Sequence, residues 1–238
     1  MLSTAVRTFT ITLSFSNKDA NMKLEFMTFA VFALAAVCAY LISGINPAII
    51  LSKAIYGKDI RTLGSKNPGF TNFKRNFGMK WAIVVMVLDL LKSALPAIAF
   101  GFVFDHLWGE WYLGVTFTCL FSMIGHAFPV WYGFKGGKGF LVCLSAMWTV
   151  DWRVGLTATA LMVLLLLVTE YMSLSTTVAM LACPFVIWLI GGSHPEIIFC
   201  AISVMFMAWR HKENFVRLSK GTESKFQLYK DKGKKKKK

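Results

Sequence analysis

Long apolar runs separated by short polar segments dominate the pattern of hydrophobic and polar positions along the chain. A helix needs about 20 predominantly apolar residues to cross about 30 Å of hydrocarbon. The chain has seven apolar runs, although several are shorter than that length. The runs cover residues 24–55, 81–104, 111–132, 140–150, 154–168, 175–190 and 197–209. This pattern predicts an all-α polytopic membrane protein.

The fourth and fifth runs are separated only by Asp151, Trp152 and Arg153. They form either two short spans or one long kinked helix, and the apolar pattern leaves both alternatives open. The charge of the flanking loops decides between them. Lys and Arg resist translocation, so loops rich in these residues stay on the cytoplasmic side.

Two segments are strongly basic. Residues 56–80 hold six Lys or Arg against one acidic residue, and residues 210–238 hold twelve against three. If both are cytoplasmic, an even number of spans joins them, which requires two separate helices in the doubtful stretch. The sequence therefore predicts seven transmembrane helices over residues 22–212, with the N-terminus outside and the C-terminus cytoplasmic. Residues 1–21 are predicted to be a disordered extension, and 213–238 a cytoplasmic basic tail.

Composition agrees with a membrane protein. Hydrophobic residues make up 56% of the chain and charged residues 16%, against about 45–50% and about 25% in soluble domains, which excludes an ordinary soluble domain and a disordered chain. The net charge of +14 does not indicate a nucleic-acid partner, because the basic residues lie between apolar runs and in the closing run 234–238. Anionic lipid head groups of the bilayer would attract that run. The five cysteines lie singly in apolar stretches, so the sequence predicts no metal and no cofactor.

Polar and glycine-rich clusters all fall on the predicted cytoplasmic face. They comprise residues 43–47, 59–72, 125–139, 173–176 and 210–214. Chance would scatter such clusters over both faces. No Ser-His-Asp or Cys-His arrangement can be assembled from them, so the face is predicted to bind anions. Such a site can still catalyse group transfer if one substrate supplies a hydroxyl nucleophile and the other an activated leaving group.

One of these clusters, residues 133–139, reads Gly-Phe-Lys-Gly-Gly-Lys-Gly. Glycines let successive backbone N–H groups turn inward, and Lys135 and Lys138 add positive charge, so the loop has the composition of an anion cradle. It is not a nucleotide-binding P-loop, because the spacing is one residue short and Gly139 stands where Ser or Thr would hold magnesium. A basic loop that merely turns between helices is the alternative.

The loop around Arg61 offers a second group of anion ligands. Arg61, Asn67 and Asn72 supply a bidentate cation and amide donors suited to phosphate or carboxylate. A capped turn that obeys the positive-inside rule is the alternative.

Charged and titratable residues also occur at the apolar runs. Asp89 and Lys92 lie three apart on one side of an apolar helix and are predicted to form an internal ion pair rather than to contact substrate. His126 is predicted to be a packed histidine. His211 follows Arg210 at the membrane boundary and is the better candidate for chemistry.

These motifs resemble those of the bacterial acyl-phosphate-dependent glycerol-3-phosphate acyltransferases, the PlsY family, from about residue 40 to residue 225. The family's S-G-N-P-G-A-T-N corresponds to residues 65–72, and its G-H-x-F-P-V and F-K-G-G-K-G are matched at 125–130 and 134–139. Its closing R-H-x-x-N-x-x-R-L-x-x-G-x-E is matched by Arg210, His211, Asn214, Arg217, Leu218, Gly221 and Glu223.

The resemblance implies a seven-helix inner-membrane enzyme, with its site on the cytoplasmic side. Such an enzyme moves an acyl group from acyl phosphate to the 1-hydroxyl of glycerol 3-phosphate, giving lysophosphatidic acid and phosphate. It implies catalytic roles for Arg61, Lys138, Ser173, His211 and Asn214. Substrate-binding roles are predicted for Asn67, Asn72, Lys135, Gly136, Gly137, Gly139 and Arg210.

The chain departs from the family pattern in three places. Gly44 stands at the family's active-site serine position, with Ser43 about 100° away around the helix. Phe140, Leu141 and Val142 replace V-A-T after the glycine-rich loop, and Lys66 and Phe70 replace small residues of the first loop. An acyltransferase with another donor or acceptor, and a lipid-binding or transport protein without enzyme activity, are the alternatives that the sequence leaves open.

Overall fold

The computed structural model describes residues 2–226, with side-chain surroundings from residue 21 onward. The prediction for the extension 1–21 falls, apart from Asn21, on residues whose side chains are outside this description, and the run 234–238 lies outside the described residues. The described chain is helical, with two short 3-10 turns, Ile60–Thr62 and Val130–Tyr132. Its α-helices are α1 (Leu2–Gly44), α2 (Pro47–Tyr56), α3 (Phe70–Phe77), α4 (Met79–Trp108), α5 (Trp111–Ala127), α6 (Phe140–Val150), α7 (Trp152–Thr169), α8 (Met172–Leu181), α9 (Cys183–Leu189), α10 (His194–Arg210) and α11 (Lys212–Ser219).

Five stretches of the described chain are long and apolar enough to cross a membrane. They are Asn21–Tyr56, Met79–Trp108, Trp111–Tyr132, Trp152–Thr169 and Met172–Leu189. The 11 residues of α6 are apolar but span only about 16 Å. The predicted class, an all-helical protein with several candidate spans, is confirmed.

The doubtful fourth and fifth apolar runs are two helices, not one. Asp151 is extended, with φ −161° and ψ 140°, and its carboxylate caps α7 by accepting a hydrogen bond from the Arg153 N–H at 2.8 Å. Trp148 Nε1 donates to Thr159 Oγ1 at 3.0 Å. A continuous helix would separate two residues eleven positions apart by about 16 Å, so α6 and α7 fold back on each other.

Two further runs that the sequence treats as single elements are broken by proline. Asn46 caps α2 through a 3.0 Å hydrogen bond from the Ile49 N–H, and Pro47 occupies the first turn. Pro184 lies in the first turn of α9 and separates it from α8. The break before α2 turns the chain out of α1 and into the polar loop that follows it.

The apolar core confirms the interpretation of four cysteines as small buried residues. They pack with methionine and valine side chains contributed by α5, α6 and α10, and none forms a disulfide. These cysteines are Cys119, Cys143, Cys183 and Cys200.

Close contact between α1 and α5 depends on Gly125. A Cβ atom at this position would lie 2.2 Å from the Tyr40 carbonyl oxygen, which belongs to the backbone of α1. The Tyr40 hydroxyl also joins α1 to the residue that follows α5, because it donates to the Phe128 carbonyl at 2.8 Å. Glycine is therefore required here by the approach of two backbones.

We expect Gly125→Ala to destabilise the protein by about 1–3 kcal/mol, because the added methyl group overpacks a backbone contact that cannot move independently. The measurement is the thermal unfolding midpoint in detergent. Gly44→Ala is the matched control, since a Cβ there would meet the Trp131 side chain at 3.2 Å and the Gly125 carbonyl oxygen only at an ordinary contact distance of 3.5 Å. Equal midpoints for the two variants would contradict the role assigned to Gly125.

Candidate active site

One end of the helix bundle encloses a cavity of about 830 Å³. Four segments far apart in sequence line it, residues 64–75, 138–141, 172–176 and 211–226, together with the walls of α4 to α7. These segments contain parts of four of the five predicted clusters, which the fold thus brings together, and residues 43–47 do not line the cavity. The predicted site residues that line the cavity are Asn67, Asn72, Lys138, Gly139, Ser173, His211 and Asn214.

A carboxylate organises one polar corner of this cavity. Glu223 accepts hydrogen bonds from Ser173 Oγ at 3.0 Å and from Asn214 Nδ2 at 2.6 Å on Oε1, and from Arg217 Nε at 2.7 Å on Oε2. Lys138 donates to the Asn214 amide oxygen. Three predicted catalytic side chains therefore belong to one hydrogen-bond network centred on Glu223.

The network also sets the charge of Glu223. Burial alone would raise the pKa of this carboxyl group, but the hydrogen bonds from Asn214, Arg217 and Ser173 outweigh burial and lower its pKa below the ordinary value. Glu223 is therefore ionised at neutral pH. Its negative charge holds the donors around it in fixed orientations.

His211 is buried beside this network. Its Nδ1 lies 2.9 Å from the Met207 carbonyl oxygen. A carbonyl only accepts, so Nδ1 carries the proton and Nε2 has a free lone pair. Burial lowers the pKa of His211 to about 4, an effect that the nearby charge of Lys138 reinforces. His211 is therefore a neutral hydrogen-bond acceptor at pH 7.

Lys138 supplies positive charge at the start of α6. Burial, reinforced by the charge of Arg217, lowers its pKa to about 8, so most molecules carry the ammonium form at pH 7. Gly139 has a φ of +87° and caps α6 without a side-chain hydrogen bond. The first turn of α6 therefore presents N–H groups and the positive end of the helix dipole beside Lys138.

The structure shows that the glycines at 136 and 137 are needed for a reason other than the predicted anion cradle. Their N–H groups do not form an open cradle, because Gly136 donates to the Ala127 carbonyl at 3.1 Å and Gly137 to the His126 carbonyl at 3.0 Å. Both positions exclude side chains for lack of space. A Cβ would lie 2.0 Å from His126 O at Gly136 and 2.2 Å from His126 Nε2 at Gly137.

Two predicted cations support the walls of the site instead of lining it. Arg61 Nη2 pairs with Asp59 at 2.7 Å, and Arg61 Nη1 donates to the Tyr132 carbonyl at 3.1 Å. Arg210 donates to the carbonyl oxygens of Gly136 and Gly137 at 3.4 and 3.1 Å. Arg210 thus holds the glycine-rich loop, and Arg61 holds the turn before it.

Lys135 is another cation predicted to belong to the site, but it is exposed and does not line the cavity. The cations that do line it, beside Lys138, are Lys66, Arg75 and Arg217. Sequence analysis missed these three because neighbouring residues of each loop carry the same charge. Lys66 could have been found from its position inside the motif at 65–72, and Arg75 from its position three residues after that motif.

The Asn72 side chain is hydrogen-bonded to backbone groups of the loop that precedes it. Its Nδ2 donates to the Leu63 carbonyl at 3.0 Å, and its Oδ1 accepts from the Ser65 N–H at 3.1 Å. Asn72 therefore fixes the loop that carries Asn67 and Lys66 toward the cavity. Its amide is not free to bind a ligand in this arrangement.

Two departures from the family pattern can now be placed. Ser43 Oγ donates to the Lys92 carbonyl at 3.1 Å, and neither Ser43 nor Gly44 lines the cavity. Ser43 therefore does not take over a serine role at the site. Phe140 and Leu141 do line the cavity and make its wall at the start of α6 apolar.

The fold and the site together define an integral membrane protein whose cavity has a cationic end and an apolar wall. A family model described as "Glycerol-3-phosphate acyltransferase" matches residues 33–221. The chain is 35% identical over 196 residues to a glycerol-3-phosphate acyltransferase of Agrobacterium fabrum, covering 82% of this chain and 92% of that relative. The chain belongs to the glycerol-3-phosphate acyltransferase family, and phospholipid biosynthesis follows from that membership.

The fold is also that of PlsY, an integral membrane glycerol 3-phosphate acyltransferase. Its crystal structure in a glycerol 3-phosphate form matches with a TM-score of 0.76 and 31% identity, covering 82% of this chain and 96% of that chain. A lysophosphatidic acid form matches with a TM-score of 0.73 and 29% identity, covering 82% and 95%.

Proposed function

We propose that this chain transfers a fatty acyl group from acyl phosphate to the 1-hydroxyl of glycerol 3-phosphate, giving lysophosphatidic acid and phosphate. This would be the first acylation of phospholipid synthesis. The observation that carries the proposal is the cavity of about 830 Å³ that joins a cationic corner to an apolar wall. One substrate of this reaction is fully polar, whereas the other combines a phosphate with a long hydrocarbon chain.

The apolar wall suits the acyl chain. It is formed by α4, α6 and α7, which are helices that would lie in the membrane, and a chain along it would be shielded from water. Phe140 and Leu141 extend this wall to the first turn of α6, next to Lys138. Its other members are Met86, Leu90, Leu144, Met162, Val163 and Leu166.

The polar end suits two phosphate groups. Each phosphate carries a charge of roughly −1.5 to −2 near pH 7, by analogy with phosphorylated side chains. Four cations line the cavity, Lys66, Arg75, Lys138 and Arg217, of which Arg217 is paired with Glu223, and the first turn of α6 adds N–H groups. Compact phosphates fit this arrangement better than a nucleotide, because the lining shows no nucleotide-binding fingerprint.

In the proposed reaction the 1-hydroxyl oxygen attacks the acyl carbon, and the bond from that carbon to the phosphate oxygen breaks. His211 Nε2 accepts a hydrogen bond from the hydroxyl and orients it. The pKa of His211 is about 4, so the imidazole is a weak base. The phosphate oxygen that leaves the acyl carbon is far more basic, because the phosphate departs with one more negative charge than it carried in acyl phosphate. The proton therefore ends on that oxygen, and Lys138 and the α6 first turn stabilise the departing phosphate. Binding both substrates together supplies proximity.

The proposal places the enzyme in the bacterial inner membrane with seven spans. These are α1, α4, α5, α6, α7, the pair α8 and α9, and α10. The convergence of residues 64–75, 138–141, 172–176 and 211–226 on one cavity supports a shared side for these segments. Their excess of Lys and Arg supports the cytoplasmic side.

The topology predicts the accessibility of single cysteines in a cysteine-free background. Lys135→Cys and Lys220→Cys replace exposed residues on the proposed cytoplasmic side, and Asp105→Cys and Ser193→Cys replace exposed residues on the other side. In intact spheroplasts, an impermeant thiol reagent should label only the second pair. Inside-out vesicles should show the reverse. Labelling of Lys135→Cys or Lys220→Cys in spheroplasts would contradict the orientation.

The function is tested by turnover of purified protein with radiolabelled glycerol 3-phosphate and either palmitoyl phosphate or palmitoyl-CoA at equal concentrations. We expect lysophosphatidic acid from palmitoyl phosphate and none from the CoA ester. Inorganic phosphate should inhibit competitively against palmitoyl phosphate. Faster turnover with palmitoyl-CoA would contradict the proposed donor and favour an acyltransferase with an altered donor site.

A further inference from the structure

A buried polar cluster on α4 and α5 contributes to the cavity wall, and the proposed mechanism does not use it. Lys92 Nζ lies 2.8 Å from Asp89 Oδ1, 2.8 Å from the Ile45 carbonyl oxygen and 2.9 Å from His126 Nδ1. All three side chains are at most 7% exposed. Asp89 and His126 line the cavity. A buried ion pair in an apolar helix is costly, so its position at the cavity calls for a role.

The geometry of Lys92 fixes the tautomer of His126. An ammonium group has three N–H donors and no acceptor. His126 Nδ1, which lies 2.9 Å from Lys92 Nζ, is therefore the acceptor of this contact, and the proton of the neutral imidazole sits on Nε2. In the described part of the chain, Nε2 has no hydrogen-bond partner.

His126 Nε2 lies beneath the glycine-rich loop. A Cβ at Gly137 would be 2.2 Å from Nε2, and a Cβ at Gly139 would be 3.8 Å from Cδ2 of the same ring. Glycine at both positions lets the backbone on either side of Lys138 approach this edge of the ring, and His126 itself lines the cavity. The prediction that His126 is a packed histidine therefore describes only the Nδ1 side of the ring.

We propose that His126 is a phosphate-binding residue whose Nε2–H donates to a substrate phosphate oxygen beside Lys138. Lys92 and Asp89 are positioning residues that hold the ring in the donating tautomer. This proposal rests on the proposed function for the identity of the phosphate, which belongs either to acyl phosphate or to glycerol 3-phosphate. A neutral donor serves such a site because it binds the oxyanion without adding repulsion to the nearby cations.

The direct test is nuclear magnetic resonance of the full-length protein in lipid nanodiscs with ¹⁵N-labelled histidine. The chain has four histidines, and His126→Gln identifies the His126 signals. We expect the Nε2–H tautomer, and a saturable shift of its Nε2 resonance on addition of inorganic phosphate. An Nδ1–H tautomer would overturn the proposal. An Nε2 resonance that does not shift, up to the highest phosphate concentration that stays in solution, would also overturn it. This readout does not depend on acyl transfer.

Kinetics identify which substrate phosphate is bound. His126→Leu removes the donor, whereas His126→Gln keeps an N–H at nearly the Nε2 position. We expect His126→Leu to raise one KM by about tenfold or more, the order lost with one charged-group hydrogen bond, and His126→Gln to restore it at least partly. The substrate whose KM rises is the one whose phosphate His126 binds. Lys92→Met should raise the same KM, because the ring is then free to change tautomer.

These arms separate a failure of the inference from a failure of the proposed function. Wild-type protein that is inactive with acyl phosphate but shows the phosphate-dependent Nε2 shift would contradict the function and support the inference. An active wild type with equal KM values in His126→Leu and His126→Gln would contradict the inference alone. Thermal unfolding midpoints of each variant show whether a change in KM comes from misfolding.

Discussion

Replacing Lys138 by alanine should lower kcat/KM for acyl transfer by about 100-fold or more. The loss of one preorganised donor to a developing oxyanion typically costs about 10²–10³ in rate, and Lys138 also contributes a full charge. The substitution leaves Glu223 and Arg217 paired, so the cavity keeps its shape. The measurement is kcat and KM for both substrates. Lys135→Ala serves as the comparison, because its side chain is exposed away from the cavity, and should change kcat/KM by less than about twofold.

Lys138→Arg supplies a second comparison through the pH profile. The pKa of Lys138 is lowered to about 8, mainly by burial, so the free enzyme loses this charge as pH rises through about 8. Substrate phosphates, with a second pKa of about 6, are already fully ionised there. Wild-type kcat/KM should therefore fall above about pH 8, whereas Lys138→Arg should extend the plateau because arginine stays protonated. An identical alkaline limb in both proteins would contradict the assignment.

The helices follow from the sequence because hydrophobic periodicity and breakers are local signals. The run interrupted at Asp151 folds into two helices, as the charge of the flanking loops predicts. Pro47 and Pro184 add breaks within runs that a count of apolar residues treats as single elements. Proline does not always end a helix, since Pro96 lies inside α4. The surrounding packing decides between these outcomes.

The candidate site was only partly predictable, because long-range pairing decides which of several like charges faces a ligand. Arg61 and Lys66 lie in one loop, yet Asp59 holds Arg61 at the wall while Lys66 lines the cavity. Arg210 and Arg217 show the same division, since Arg210 binds carbonyl oxygens of the glycine-rich loop. Spacing along the chain carries no information about these partners. Glu223 was similarly visible only as a motif position until the fold placed it among three donors.

The last prediction concerns the proton of the attacking hydroxyl. His211→Ala should lower kcat by about 10²-fold, since a reacting group that is misplaced by about 1 Å can lose that much rate. The acceptor Nε2 is held in place because Nδ1–H donates to the Met207 carbonyl at 2.9 Å. Truncation removes both the acceptor and that anchor. KM for glycerol 3-phosphate should change less than kcat, because the substrate phosphate is bound by other residues.

His211→Gln distinguishes orientation from proton abstraction. A glutamine can place an amide oxygen near the Nε2 position and accept the same hydrogen bond, but it cannot take up a proton at neutral pH. If the departing phosphate receives the proton, as the pKa of about 4 for His211 indicates, His211→Gln should retain at least about tenfold more kcat than His211→Ala. Equal losses in the two variants would instead make His211 the base. Binding of two substrate phosphates would then have to raise the pKa of His211 toward neutrality.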